Sequence, residues 1–167
     1  MAYDGETLMA SGLLKIDCSK IAVVAVSGAG PNVCGHLLLG TGTPGDMIYF
    51  HVAVVKGQPK YMTESGYRRY LKDNGKTELK RRYLTLPDPR SADLYLEGLM
   101  AGTWYWGVLP NNCVAFVEEV IAAGGGTWSS YSNCPSVAIQ DSIGVKATRF
   151  MSQLESEIYR MYGVPAF

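Results

Sequence analysis

The sequence predicts one α+β domain over residues 1–167, with a central antiparallel β-sheet packed against a helix that opens on a cysteine. Three observations predict it. Apolar, β-branched runs at 20–26, 36–39 and 47–55 are separated by loops of Gly, Pro, Asn and Thr, the pattern of strands joined by turns. Apolar residues at helical spacing follow at 92, 95, 96, 99 and 100, and again at 114, 116, 117, 120 and 121. Asn112 stands just before the second set as an N-cap, because its side-chain oxygen can accept an orphan amide of the first turn.

In chain order, residues 1–12 read as a loose lead-in and 20–26 as a buried strand. Residues 27–32 form a loop. The runs 36–39 and 47–55 form two strands, and 40–46, Gly-Thr-Gly-Thr-Pro-Gly-Asp, is the loop between them. That loop also spells G-x-G-x-x-G. A dinucleotide fingerprint must open a helix, whereas a β-branched run follows here, so the segment is read as a hairpin. If the loop is centred between Thr43 and Pro44, His36 and His51 face each other across the hairpin.

Gly57-Gln58-Pro59 turns the chain, Tyr61 continues a strand, and 64–73 is a short helix ended by Asn74-Gly75. Residues 76–86 are basic and β-leaning. With Arg68, Arg69 and Lys72 they make a positive patch, read first as a solvated face and second as a site for an acidic partner. Asp88-Pro89 starts a core helix that Gly102 ends. Trp104-Tyr105-Trp106 leads into the cysteine helix, which Gly124-Gly125-Gly126 stops. Residues 127–136 are a polar loop holding Cys134, and 145–162 is a closing amphipathic helix.

Composition narrows the function classes. Hydrophobic residues make up 47% and charged ones 18%, which marks a globular chain. Fifteen acids balance fifteen bases, so there is no general case for nucleic acid. No apolar run approaches the roughly 20 residues of a membrane span, and the N-terminus lacks the basic start of a signal peptide. Cytoplasmic location in the producer, or export by a dedicated machine, is expected. The cysteines, Cys18, Cys34, Cys113 and Cys134, form no Cys-x-x-Cys pair. No metal or other cofactor is therefore expected. A disulfide cannot be paired from sequence.

Cys113 carries the chemistry. At the first helical position, free amides and the helix dipole favour a thiolate. A thiol nucleophile needs a base, and the base needs an orienting group. The chain has two histidines, and the hairpin register places them side by side. One would act as base and the other would polarise it. The Cys113 amide could donate to an oxyanion. Tyr105, Trp106 and Asn112 are candidates for substrate contact, with packing as the plainer reading of the aromatics.

The order histidine, second histidine on the next strand, then cysteine at a helix start resembles the circularly permuted branch of the NlpC-type papain-like peptidases. The lecithin:retinol acyltransferase family belongs to that branch. Its motif reads Asn-Cys-Glu-His-Phe, often after another asparagine and an upstream tyrosine. Tyr105, Asn111, Asn112, Cys113, Phe116 and Val117 match. Val114 and Ala115 stand where that family has Glu-His, and Leu37-Leu38 follow His36 where it usually has an aromatic and an alanine. The resemblance covers residues 33–123 by order and spacing.

The resemblance implies a papain-like fold, with Cys113 as nucleophile, His36 as base and His51 as orienting residue. It implies a cysteine amidase or endopeptidase working through a thioester, with peptidoglycan stem peptide as the first substrate. The chain also resembles injected antibacterial effectors, which pair with an immunity protein in the producer. An acyltransferase, thioesterase or phospholipase on the same residues is the alternative, although no membrane anchor supports a lipid substrate. A non-catalytic binding module, with a buried thiol and structural histidines, is the second alternative.

Overall fold

The computed structural model describes residues 2–8, 14–28, 34–53, 56–105 and 112–127. Within them the fold is α+β. A six-stranded antiparallel sheet runs in the order β1 (Glu6–Thr7), β6 (Lys60–Met62), β4 (Asp46–His51), β3 (His36–Thr43), β2 (Ile21–Val26), β7 (Glu78–Leu84). A separate ribbon pairs β5 (Lys56–Gly57) with β8 (Trp104–Tyr105). The helices are α1 (Glu64–Asp73), α2 (Pro89–Ala101) and α3 (Cys113–Ala123). Trp106, Asn111, Cys134, the 127–136 loop beyond Thr127 and the expected 145–162 helix lie outside the described residues.

Helices cover both faces of the sheet, which explains why all six residues of β2, Ile-Ala-Val-Val-Ala-Val, are buried rather than alternating with polar ones. Val23, Ala25, Leu37, Leu39 and Phe50 point to one face, against Ala92, Leu96 and Met100 of α2 and Phe116, Val117 and Val120 of α3. Val24, Val26, Leu38, Met47, Tyr49 and Met62 point to the other, against Tyr67 and Tyr70 of α1. Gly124, just past the end of α3, lets that helix close on α2 and the segment before it, since a Cβ there would sit 3.1 Å from Ala92 Cβ and 2.6 Å from Leu86 Cδ1.

The hairpin departs from the expected register. Pairs run from Thr43↔Asp46 to Leu39↔Phe50, so the turn is centred between Pro44 and Gly45 and Gly40–Thr43 belong to β3 rather than to a loop. The cause is local. Proline fixes a negative φ and Gly45 takes φ +93°, the sign pattern of a type II corner. Each strand partner therefore lies two residues beyond the expected one. Because the side-chain period is two, a two-residue slip keeps every side chain on its face. His36 and His51 become diagonal rather than direct neighbours, still on the α1 side of the sheet.

Two boundaries also differ. β4 ends at His51, short of the expected 47–55 run. Within the expected loose lead-in, the described residues are tied down, with Glu6↔Tyr61 and Thr7↔Lys60 adding a short edge strand to β6. Three arginines of the positive patch have acidic partners: Arg68 pairs with Glu64 at 3.5 Å, Arg69 with Asp73 at 3.2 Å and Arg81 with Glu78 at 2.8 Å. Among the described residues no helix is long and apolar enough to cross a membrane.

Candidate active site

The site forms where the hairpin opens. β3 and β4 stay paired only as far as Leu39↔Phe50, so the first residues of β3 are held by β2 alone, with Val26↔His36 as the last pair. His36 starts β3 and His51 ends β4, and both belong to the rim of this gap. The N-terminus of α3 packs on the opposite face, where Cys113 and Val114 share the core with Leu37 and Leu39.

Local chemistry starts α3 at this spot. Asn112 is extended at φ −114°, ψ −170°, and its side-chain oxygen accepts from Val114 N–H at 2.9 Å and Ala115 N–H at 3.0 Å. Cys113 is therefore the first helical residue, as the sequence predicts. Asn112 is buried, so removing its oxygen strands the buried Val114 amide and the half-buried Ala115 amide. Asn112→Ala is expected to cost about 1–2 kcal/mol. Urea unfolding of the two proteins checks it.

The Cys113 sulfur lies against the backbone amides of Leu37, Cys113 and Val114, with the Lys76 ammonium as the nearby cation. The Leu37 contact places the sulfur one peptide link from His36. The thiol is free and 6% exposed. Burial pushes its pKa up, and the three amides and Lys76 only partly offset that. The expected resting thiolate is thus corrected to a neutral thiol: desolvation at this depth outweighs the helix start.

The two imidazoles are joined. His36 Nε2 lies 2.9 Å from His51 Nδ1, with the rings edge to face and 5.0 Å between centroids. His51 Nε2 lies 2.9 Å from the backbone carbonyl of Asp4. A carbonyl only accepts, so His51 Nε2 carries the proton and its Nδ1 is the acceptor. His36 Nε2 must then be the donor, and the neutral His36 ring keeps its lone pair on Nδ1. Among the described residues that nitrogen has no hydrogen-bond partner, and neither ring is bonded to the thiol.

Burial holds both histidines in the neutral form. His51 is buried against Tyr70, ring centroids 5.4 Å apart, and its pKa is pushed down to about 4. His36 is partly exposed but stands well below the ordinary imidazole value, through desolvation first and the neighbouring His51 and Lys76 next. A neutral thiol and a neutral imidazole are the resting forms that general-base activation of a thiol uses, in contrast to a thiolate–imidazolium ion pair.

Lys76 is the site residue that sequence reasoning left in the solvated patch. Its Nζ donates to the Ser27 carbonyl at 3.1 Å, and Ser27 follows Val26, the partner of His36. Among the described residues it makes no ion pair. The Asp4 carbonyl was invisible for a different reason: a main-chain acceptor has no residue signature.

The substrate-contact candidates divide. Asn112 is a buried cap, with its oxygen committed to the helix. Trp104 points inward and meets Phe116 edge to face at 5.5 Å. Alternation along β8 turns Tyr105 outward, 59% exposed, under the Lys56 ammonium at 5.2 Å. Trp106 lies outside the described residues. Among the described residues no three His, Cys, Asp or Glu side chains gather in a metal-holding arrangement. The chain matches no protein-family model, no curated protein and no solved structure.

Proposed function

We propose that the chain is a papain-like cysteine hydrolase that cleaves an amide bond, with peptidoglycan stem peptide as substrate and Cys113, His36 and His51 as nucleophile, base and orienting residue. The observation that carries this reading is the relay from the Asp4 carbonyl through His51 to His36. It fixes the His36 tautomer with a basic Nδ1, and the sulfur of Cys113, the residue that heads α3, lies against the amide of Leu37, the next residue along the chain from His36.

The chemistry follows from those positions. Cys113 Sγ attacks the substrate carbonyl carbon while its proton passes to His36 Nδ1. The oxyanion is met by the Cys113 N–H at the helix start. The C–N bond breaks, His36 Nδ1–H protonates the leaving amine, and a thioester remains on Cys113. Water attacks that thioester, gives one proton to Nδ1 and releases the acid. The same proton then returns to the thiolate. Throughout the cycle His36 Nε2–H donates to His51, so the charge that appears on His36 has a fixed acceptor. Lys76 adds a cation at the rim, suited to the carboxylates of a peptide stem.

The test is digestion of purified cell wall by the wild-type chain and by Cys113→Ala, with mass analysis of released peptides and a parallel assay on phospholipid vesicles. Peptide release that needs Cys113 supports the amidase. Fatty-acid release, or acyl transfer between lipids, replaces it with the acyltransferase or phospholipase reading on the same residues. The non-catalytic module draws on the 6% exposure of the thiol. It predicts no turnover of either substrate and no acyl-enzyme mass on Cys113.

A further inference from the structure

The N-terminal strap, Tyr3 to Thr7, does more than extend the sheet. It leaves the β6 edge after Glu6↔Tyr61 and crosses towards the C-terminal end of α1. Every residue along it is fastened. Tyr3 N–H donates to Asp73 Oδ2 at 3.3 Å, and the Tyr3 carbonyl accepts from Asn74 Nδ2 at 2.7 Å. The Tyr3 ring lies 4.7 Å under the Arg69 guanidinium. Asp4 Oδ1 accepts from Lys60 Nζ at 2.6 Å. Gly5 takes φ +98°, and a Cβ on it would stand 2.9 Å from the Tyr61 carbonyl oxygen. These fastenings converge on one outcome, the Asp4 carbonyl held 2.9 Å from His51 Nε2.

That carbonyl decides a tautomer. A neutral imidazole has one donor and one acceptor. With Asp4 in place, the donor must be Nε2, which leaves Nδ1 to receive the His36 proton. Without it, His51 Nε2 loses the one acceptor it has among the described residues, and the buried ring is free to move its proton to Nδ1. Two N–H groups would then face each other across 2.9 Å, and His36 would lose its orientation.

We propose that the strap is a positioning element of the active site, in which the backbone carbonyl of Asp4, set by the left-handed Gly5 and the Asp4–Lys60 pair, locks the His51 tautomer and through it orients His36. This rests on the assignment of His36 as base, but its first test does not depend on turnover.

The test uses the full chain labelled with 15N on histidine, with ring-nitrogen shifts read at pH 7. In the wild type both rings should report the Nε2–H tautomer. Gly5→Ala forces the strap out, because the backbone and the Tyr61 oxygen both reject a methyl group. The double variant Lys60→Met/Asn74→Ala loosens it through side chains alone and keeps the test alive if Gly5→Ala does not fold. In either variant His51 should become a mixture of tautomers, and kcat on cell wall should fall about 10-fold to 100-fold with KM little changed. Restoring Lys60 in the double variant should restore most of both signals. A His51 ring that stays wholly Nε2–H in both variants overturns the proposal. A tautomer shift in a protein with no hydrolytic activity at all upholds the strap and overturns the hydrolase reading instead.

Discussion

Cys113→Ala is expected to remove hydrolysis by roughly a thousandfold or more, because it deletes the proposed nucleophile and leaves groups that only bind and polarise. The fold should survive. The substitution deletes one buried sulfur and leaves three amides, on Leu37, Cys113 and Val114, with one acceptor fewer. A cost of about 1 kcal/mol follows, or about 2–4 °C in Tm for a chain of this size. Activity and thermal unfolding measured on the same preparation separate the two effects. Equal loss of both would mean that the thiol is a packing group. Cys18 is the internal control: it is fully buried, its amide donates to Asp93 Oδ1 at 2.7 Å, and desolvation with Asp93 pushes its thiol up. Cys18→Ala should leave kcat unchanged. Iodoacetamide should label Cys113 in the folded protein only at a pH above that of an ordinary thiol, since burial raises its pKa and no ion pair with His36 lowers it.

Much of this site was readable from residues because each signal was local. An asparagine before an apolar 3.6-residue period defines a helix start, and the N-cap at Asn112 follows from that alone. The pairing of His36 and His51 followed from a hairpin count, and it survived an error in that count. The turn lies one residue later than the loop composition predicts, which moves each partner by two positions, and alternation preserves the face. A slip of one residue would have sent His51 to the α3 side. What was not readable is non-local. The α3 helix docks on the face opposite the imidazoles, and its first residue lies against the Leu37 amide in the stretch where β4 has left β3. The depth of the thiol, and hence its neutral state, depends on that docking. Tyr105 is turned outward by simple alternation, because Trp104 takes the inward position beside Phe116. Cys34 is disulfide-bonded, a pairing that spacing could not supply.

Stability is expected to fall steeply as the pH drops from about 6.5 towards 4, with the histidine pair as the cause. An unfolded histidine binds its proton near pH 6.5, whereas folded His51 binds it only at about 4 and His36 also stands well below its ordinary value. Between those limits the unfolded chain holds more protons than the folded one. Stability therefore rises with pH through the window: it is complete above about 6.5 and is lost progressively below. Each histidine contributes a slope of about 1.4 kcal/mol per pH unit while it remains neutral in the fold, so His51 alone accounts for about 3 kcal/mol by pH 4. That is a large fraction of a typical domain's 5–15 kcal/mol. The carboxylates enter later. Arg81 holds Glu78 low, and Ser19 and Ser91 hold Asp17 and Asp88 low, so their losses begin only below about pH 4. Urea unfolding at pH 7.5, 6.0, 5.0 and 4.5 reads the slope directly, with buffer values set by the roughly 4-to-6.5 window. His51→Leu should remove about half of it, and His36→Leu/His51→Leu should flatten it. A wild-type midpoint that does not move between the extremes would mean that the rings are charged or solvated in the fold, and the tautomer relay from Asp4 to His36 would fall with it.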